Sequence, residues 1–82
     1  MSETLRLRAE RARLAQDRTR LVLAADAAIR AAKELMSTSA VTPLADLEIA
    51  PAAAHLAEAV RLQNELVETV RKIHRIDREL GE

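Results

Sequence analysis

The sequence predicts an all-α protein, an antiparallel two-helix hairpin like a coiled coil that dimerises into a four-helix bundle. Alanine supplies 17 of the 82 residues, Phe, Tyr and Trp are absent, and there are one glycine and two prolines. Such a composition is typical of long helices. Apolar residues also recur every seven positions in two segments, which a stretch rich in Ser, Thr and Pro separates. We therefore expect one hairpin domain over residues 1–82.

The first helix is expected over about residues 2–36. Ser2 suits the N-cap because its hydroxyl can accept a hydrogen bond from an amide of the first turn, and Glu3 favours the positive end of the helix dipole. Neither glycine nor proline interrupts the segment before residues 37–43, STSAVTP. Pro43 disfavours a helical conformation in the residue before it. The first helix is therefore expected to end close to that stretch.

The second helix is expected over about residues 51–80, after a linker of residues 37–50. Pro51 suits the first helical position, because a proline there loses no hydrogen bond. Gly81 follows as the stop, because glycine readily adopts the left-handed conformation that ends many helices.

The linker is expected to carry one short helical turn. Thr42 would cap this turn and Pro43 would take its first position. Three apolar linker side chains would then fold back over the helix ends: Leu44, Leu47 and Ile49.

Two heptad series predict how the helices pair, since apolar residues seven apart form one face of a coiled coil. The series are Leu7, Leu14, Leu21, Ala28 and Leu35 on the first helix and Leu80, Ile73, Leu66, Ala59 and Ala52 on the second. In an antiparallel pair they face each other, and the numbers of opposed residues add to 87. The alternate layers oppose Ala25 to Leu62, Ala32 to His55, Arg18 to Thr69 and Arg11 to Ile76. Large side chains thus gather at the terminal end of the hairpin and alanines at the loop end.

A second apolar series runs beside this seam and stays uncovered in a lone hairpin. This apolar strip comprises Ala15, Val22, Ile29 and Met36 on the first helix and Leu56, Val60, Val67 and Val70 on the second. Soluble monomers rarely expose a patch of this kind. We therefore expect two hairpins to pack strip against strip as a homodimer. The competing hypothesis is that the strip binds a different protein, as in helix-in-groove recognition.

Charge is distributed unevenly along a chain that is neutral as a whole. Residues 1–33 carry a net charge of +4 and residues 34–82 carry −4, which favours either a basic arm for nucleic acid or attraction between the two segments. Arg6, Arg13 and Arg20 repeat every seven residues and form a line on one flank of the first helix. A bundle dimer with such a line is similar in architecture to Rop, an RNA-contacting plasmid regulator. That similarity implies an alternative function as an RNA- or DNA-binding regulator.

Other features weigh against nucleic acid. Residues 1–20 reach a net charge of only +3, and no aromatic side chain is present to stack on bases. Arg11 and Arg18 fall at core-facing positions, where polar side chains can fix the register. Two interhelical ion pairs are expected, Arg8 with Asp77 and Asp17 with Lys72. Only the three arginines of the line then remain free for a partner.

Residues that could carry chemistry are sparse. The sequence has no cysteine, no Glu-x-x-His pair and no glycine-rich phosphate loop, so no catalytic, cofactor-binding or metal-binding residue is predicted. His55 and His74 lie about 28 Å apart along one helix and cannot share a metal ion within a monomer. His55 is expected at the edge of the core, and His74 is expected in solvent near Asp77. We expect neither an enzyme nor a cofactor.

The expected function is that of a non-catalytic protein–protein interaction module, namely a small regulatory, adaptor, chaperone-like or inhibitor protein. A structural subunit of a larger assembly, with its strip covered by another chain, is a further alternative. No apolar run approaches the roughly 20 residues that cross a bilayer, so we expect a cytoplasmic protein without a membrane partner. The alanine and arginine content is typical of a GC-rich bacterial or phage genome.

Overall fold

The computed structural model describes residues 2–81 as two long helices joined by a loop. Helix α1 spans Ser2–Leu35, helix α2 spans Ile49–Leu80, and Leu44–Asp46 between them form one turn of 3-10 helix. The residues described include no β-strand. The two helices pack against each other, which confirms the all-α hairpin. The result is a rod measuring 64 × 16 × 14 Å.

Helix α1 ends where the expected breaker stretch begins. The Met36 amide donates to two carbonyls of the last turn at 3.2 Å, and the Ser37 hydroxyl donates to the Glu34 carbonyl at 2.8 Å. These bonds satisfy carbonyls that a helix end leaves without partners. At the other end, Ser2 is the first helical residue and not the cap before the helix. The position before it lies outside the described residues.

Helix α2 begins two residues earlier than expected, and Pro51 occupies its third position instead of its first. Proline costs nothing there, because the first amides of a helix have no intrahelical acceptor. The Ala52 amide is the first to be bonded, to the Glu48 carbonyl at 3.1 Å. Gly81 is confirmed as the stop. Its φ of 79° is left-handed, and its amide donates to the Arg78 carbonyl at 3.2 Å.

The expected cap of the loop turn was wrong. The Thr42 hydroxyl lies 2.7 Å from the Thr38 hydroxyl and bonds back toward α1. Pro43 takes the cap position of the 3-10 turn, where no side chain makes a capping bond. The threonine therefore belongs to the turns that follow α1 and does not cap the 3-10 turn.

The loop side chains do not fold back over the helix ends as expected. Leu44 is 76% exposed and Ile49 is 47% exposed, and only Leu47 is half-buried. Backbone hydrogen bonds from Asp46 to Pro43 and from Leu47 to Leu44 hold this segment in a turn of its own. The side chains of Leu44 and Ile49 are left in solvent beside that turn.

The core is a single seam of ten buried residues between the helices. These are Leu14, Leu21, Ala28, Ala32, Ala52, Ala59, Leu62, Thr69, Ile73 and Ile76. At the terminal end, Leu14, Ile73 and Ile76 form one cluster with Leu7 and Leu80 packed against it. The loop end of the seam is built from alanines. The expected gradient from large to small side chains is therefore present.

Candidate interaction surface

An open apolar groove runs along one flank of the hairpin, between the two helices. Its walls are Val22 and Ile29 of α1 and Leu56 and Val60 of α2, and its volume is about 350 Å³. All four residues belong to the expected apolar strip. The structure therefore brings the strip residues of the two helices together on one face.

A second groove continues the first toward the loop. Ile29 and Leu56 line both grooves, and Met36 joins them in the second, which measures about 220 Å³. Ala32 and Ala52 lie at the base of this groove and belong to the buried seam. The two grooves thus form one continuous apolar depression over the loop half of the rod.

The side chains of the strip are exposed to different extents on the two helices. Leu56, Val60 and Val67 are 50%, 56% and 44% exposed, whereas Val22 is 40% exposed. The remaining strip residues, Ala15, Ile29, Met36 and Val70, are half-buried. Helix α2 thus presents the more open wall of the surface.

Three expected strip residues, Ala15, Val67 and Val70, do not line either groove. They lie nearer the termini than the groove residues do. Their assignment to an interface stays a prediction.

The groove also has a polar rim beside the apolar strip. Asp26 and Gln63 line the first groove and Lys33 lines the second. Asp26 and Lys33 are seven residues apart and run parallel to the Val22 and Ile29 series. The seven-residue spacing could have placed Asp26 and Lys33 on this flank, because residues seven apart share a helix face.

Further large apolar side chains are exposed outside the predicted strip. Leu5 and Leu23 are each 61% exposed on α1, and Val41 in the loop is 84% exposed. With Leu44, they place uncovered apolar surface at both ends of the rod and on its outer face. The single heptad series beside the seam did not identify these residues.

The line of arginines that was expected to lack other contacts has ion-pair partners. Arg6 bonds Glu3 at 2.5 Å, Arg13 lies 3.5 Å from Asp17, and Arg20 lies 4.0 Å from the same aspartate. The three side chains remain 62–64% exposed. The prediction that these arginines lack other contacts was wrong, because acidic residues three or four positions away on the same helix are within reach.

The flank opposite the groove is charged instead of apolar. A cavity of about 320 Å³ near the termini is lined by Arg6, Leu7, Glu10, Arg13, Lys72, Arg75, Ile76 and Glu79. Its four basic and two acidic side chains come from both helices. The hairpin therefore has two unlike flanks, one apolar toward the loop and one charged toward the termini.

One ion pair joins the two helices at the terminal end. Arg11 donates to both carboxylate oxygens of Asp77, from Nε at 2.5 Å and from Nη2 at 3.3 Å. The hydrogen bond from Arg11 lowers the pKa of the Asp77 carboxyl below its ordinary value, with a smaller contribution from the charges of Arg11, His74 and Arg18. The core-facing Arg11 thus serves the hairpin itself.

Both interhelical ion pairs predicted from the sequence were wrong. Asp77 pairs with Arg11 instead of Arg8, one turn away on α1. Asp17 pairs with Arg13 and Arg20 on its own helix instead of with Lys72. Long flexible arginine side chains can reach acids on neighbouring turns, so the heptad register alone does not select their partners.

Neither histidine takes part in a metal-binding cluster. No group of three or more potential metal ligands occurs among residues 2–81. His74 is exposed as expected, but His55 is exposed and not at the edge of the core. The groove over the opposing seam residue Ala32 is lined on α2 by Ala52 and Leu56 and not by His55.

The comparisons with known proteins add no relative to this description. No protein-family model, curated protein or solved structure matches the chain. Among the residues described, neither helix is both long and apolar enough to cross a membrane. The class defined by the fold is thus a helical hairpin with one apolar and one charged flank.

Proposed function

We propose that this chain is a non-catalytic protein–protein interaction module that works as a homodimeric four-helix bundle. The observation that carries the proposal is the continuous apolar groove lined by residues of both helices. A second hairpin would place its own strip in this groove and remove both strips from water. Regulatory, adaptor, chaperone-like and inhibitor roles all suit such a module.

The surface area of the single hairpin supports association. The rod exposes 5989 Å², whereas a compact monomer of 9.1 kDa exposes about 4,900 Å². A stable interface typically removes about 800 Å² from each partner. Packing one flank of the rod against a second copy would bring the exposed area per chain close to that of an ordinary globular protein.

The core of one hairpin is also small. Four of its ten buried residues are alanines and one is a threonine, and alanine side chains bury little apolar area. A short chain buries a modest share of its unfolded surface, so a core this small leaves a narrow margin of stability. Association through the strip would widen that margin.

The alternative of nucleic-acid binding through Arg6, Arg13 and Arg20 has less support. Each guanidinium has an acidic partner on its own helix, and the acid would compete with a phosphate for it. We therefore favour a protein partner, with the second copy of this chain as the first candidate.

The test combines light scattering with a charged substitution in the groove. The wild type should have about twice the 9.1 kDa chain mass. Val22→Glu with Ile29→Glu should give a monomer that keeps most of its helical circular dichroism, because burying two unpaired carboxylates is costly.

The matched control is Gln16→Glu with Leu23→Glu, which adds the same charge at the same seven-residue spacing. Both control residues are exposed on another face of α1 and line neither groove, so the control should stay dimeric. A monomeric wild type would refute the homodimer. A dimer that survives the groove substitutions would show that another surface mediates association.

A further inference from the structure

The apolar strip is centred in the loop half of the rod. Its members on α1 run from Ala15 to Met36, with a midpoint between Ala25 and Asp26. The antiparallel register places the strip residues of α2 at corresponding levels. A twofold axis near this midpoint can therefore lay one strip on the other in two ways, with the loops of the two copies at the same end or at opposite ends.

Charge distinguishes the two arrangements, because the two halves of the rod have opposite signs. The terminal half, residues 2–20 and 67–81, carries ten basic and six acidic side chains and hence a net charge of +4. The loop half, residues 21–66, carries three basic and six acidic side chains, a net charge of −3. Loops at the same end would align like charges, whereas loops at opposite ends would align opposite charges.

Exposed leucines at the two ends of the rod also favour the arrangement with loops at opposite ends. Leu5 is 61% exposed near the termini and Leu44 is 76% exposed in the loop. Leu5 belongs to the seven-residue series that includes Asp26, so it lies on the groove flank. With loops at opposite ends, opposed α1 positions have numbers adding to about 51, which brings Leu5 to the level of residue 46 of the second copy. Leu5 would then lie near the partner's loop instead of facing water.

On the basis of the homodimer proposed above, we infer that the second copy lies antiparallel to the first. The acidic loop end of each hairpin then covers the basic terminal end of the other. In this arrangement α1 packs on α1 of the second copy. Val22 of one copy opposes Ile29 of the other, and Ala15 opposes Met36. The loop is then part of the dimer interface and not a free end.

The test uses spin labels on single cysteines, which the chain permits because it has no native cysteine. Ser39→Cys places a label on the exposed loop, and Ala27→Cys places one near the midpoint of the strip but outside both grooves. Pulsed electron resonance then measures the distance between the labels in the intact dimer. For Ser39→Cys we expect labels separated by roughly 40 Å along the rod.

Ala27→Cys is the matched control, because its labels lie side by side in either orientation. If Ser39→Cys gives a distance as short as the control, within a bundle width of about 25 Å, the loops are at the same end. That result overturns the antiparallel arrangement but leaves the homodimer intact. If neither variant gives an intermolecular distance, there is no dimer, and the proposed function fails together with the inference.

Salt provides an independent readout of orientation. Raising NaCl from roughly 20 to 300 mM shortens the screening length. It should weaken the antiparallel dimer several-fold, because attraction between the ends is screened. A dimer that becomes tighter over this range would have like charges aligned and would contradict the inference.

Asp26→Asn gives a second discriminating variant. In the antiparallel arrangement the two Asp26 carboxylates lie near the twofold axis and repel each other. Their neutralisation should therefore tighten the dimer. With loops at the same end, Asp26 would lie level with Val60 and Arg61 of the other copy, so an unchanged or weaker dimer would count against the antiparallel arrangement.

Discussion

Arg11 of α1 and Asp77 of α2 form a two-point ion pair across the hairpin. Two guanidinium nitrogens contact the two carboxylate oxygens at 2.5 and 3.3 Å, and the side chains are 36% and 21% exposed. A planar guanidinium matches a carboxylate in this geometry better than an ammonium group does. Asp77 follows Ile76 of the core cluster, so the pair joins the two helices near the open end of the hairpin.

This pair predicts how stability depends on pH. The hydrogen bond from Arg11 holds the pKa of Asp77 below its ordinary value. Its contribution is therefore fully present above about pH 4 and is lost as the pH falls through the lowered pKa of the folded state. Asp77→Asn should lower the urea midpoint at neutral pH, and its difference from the wild type should shrink in acid.

The control for this prediction is Glu79→Gln, because Glu79 is an exposed acid on the same helix two residues away. It should change the midpoint little at any pH. Circular dichroism at fixed protein concentration gives both curves. A constant difference between Asp77→Asn and the wild type from neutral to acid pH would rule out the linkage.

Two leucines that lie two positions apart on α1 test the buried seam. Leu21 is 1% exposed and Leu23 is 61% exposed. Leu21→Ala should reduce the free energy of unfolding by about 2–5 kcal/mol, because it removes buried contacts and leaves a cavity. Leu23→Ala should stay within about 0.5 kcal/mol of the wild type. Similar losses in the two urea titrations would mean that the seam is assigned to the wrong face.

Alanines at the loop end test the close approach of the helices. Ala28 is 8% exposed in the seam, and Ala27 beside it is exposed. Ala28→Leu should destabilise the protein by about 1–3 kcal/mol through overpacking. Ala27→Leu should be nearly neutral, since leucine is almost as good a helix former as alanine. A stabilising Ala28→Leu would show a void where the structure has tight packing.

The arginine line is expected to have no role in binding nucleic acid. Fluorescence anisotropy with labelled RNA and duplex DNA at low ionic strength should show no binding by the wild type. Replacing Arg6, Arg13 and Arg20 with Glu should leave the helices formed, because exposed ion pairs contribute little, but should weaken the dimer, because six units of charge change take the terminal half from +4 to −2. Salt-dependent binding that this triple variant abolishes, and that Arg61→Glu on α2 retains, would instead support the RNA- or DNA-binding alternative.

The pairing of the helices could be predicted from sequence, because it depends on features that repeat. Leu14 and Ile73 each belong to a seven-residue series, and the core cluster includes both. Shifting such a series by one residue would turn every later member away from the seam. The pattern therefore leaves little choice of which helix face is buried. The grooves could be anticipated for the same reason, since Val22 and Ile29 continue a second series beside the first.

The details that sequence analysis missed depend on side-chain length and local competition. Arg8 and Arg11 lie one turn apart on α1, so the helix register alone does not choose between them, and the structure shows that Arg11 pairs with Asp77. Thr42 had two possible roles, as a cap for the next turn or as a partner for Thr38, and it takes the second. Each of these choices depends on a small difference in free energy between two alternative contacts. The periodic pattern of apolar residues carries no information about such differences.

The gradient of side-chain size along the seam also bears on how the hairpin folds. Ala32 and Ala52 at the loop end are 20 residues apart in sequence, whereas Leu7 and Leu80 at the open end are 73 apart. Joining the more distant pair directly from the unfolded chain costs about 1 kcal/mol more in loop-closure entropy. The leucines and isoleucines, worth roughly 1.5–3 kcal/mol each when buried, thus lie where closure is hardest. Folding is expected to begin beside the loop and to proceed toward the termini, where the larger side chains lie.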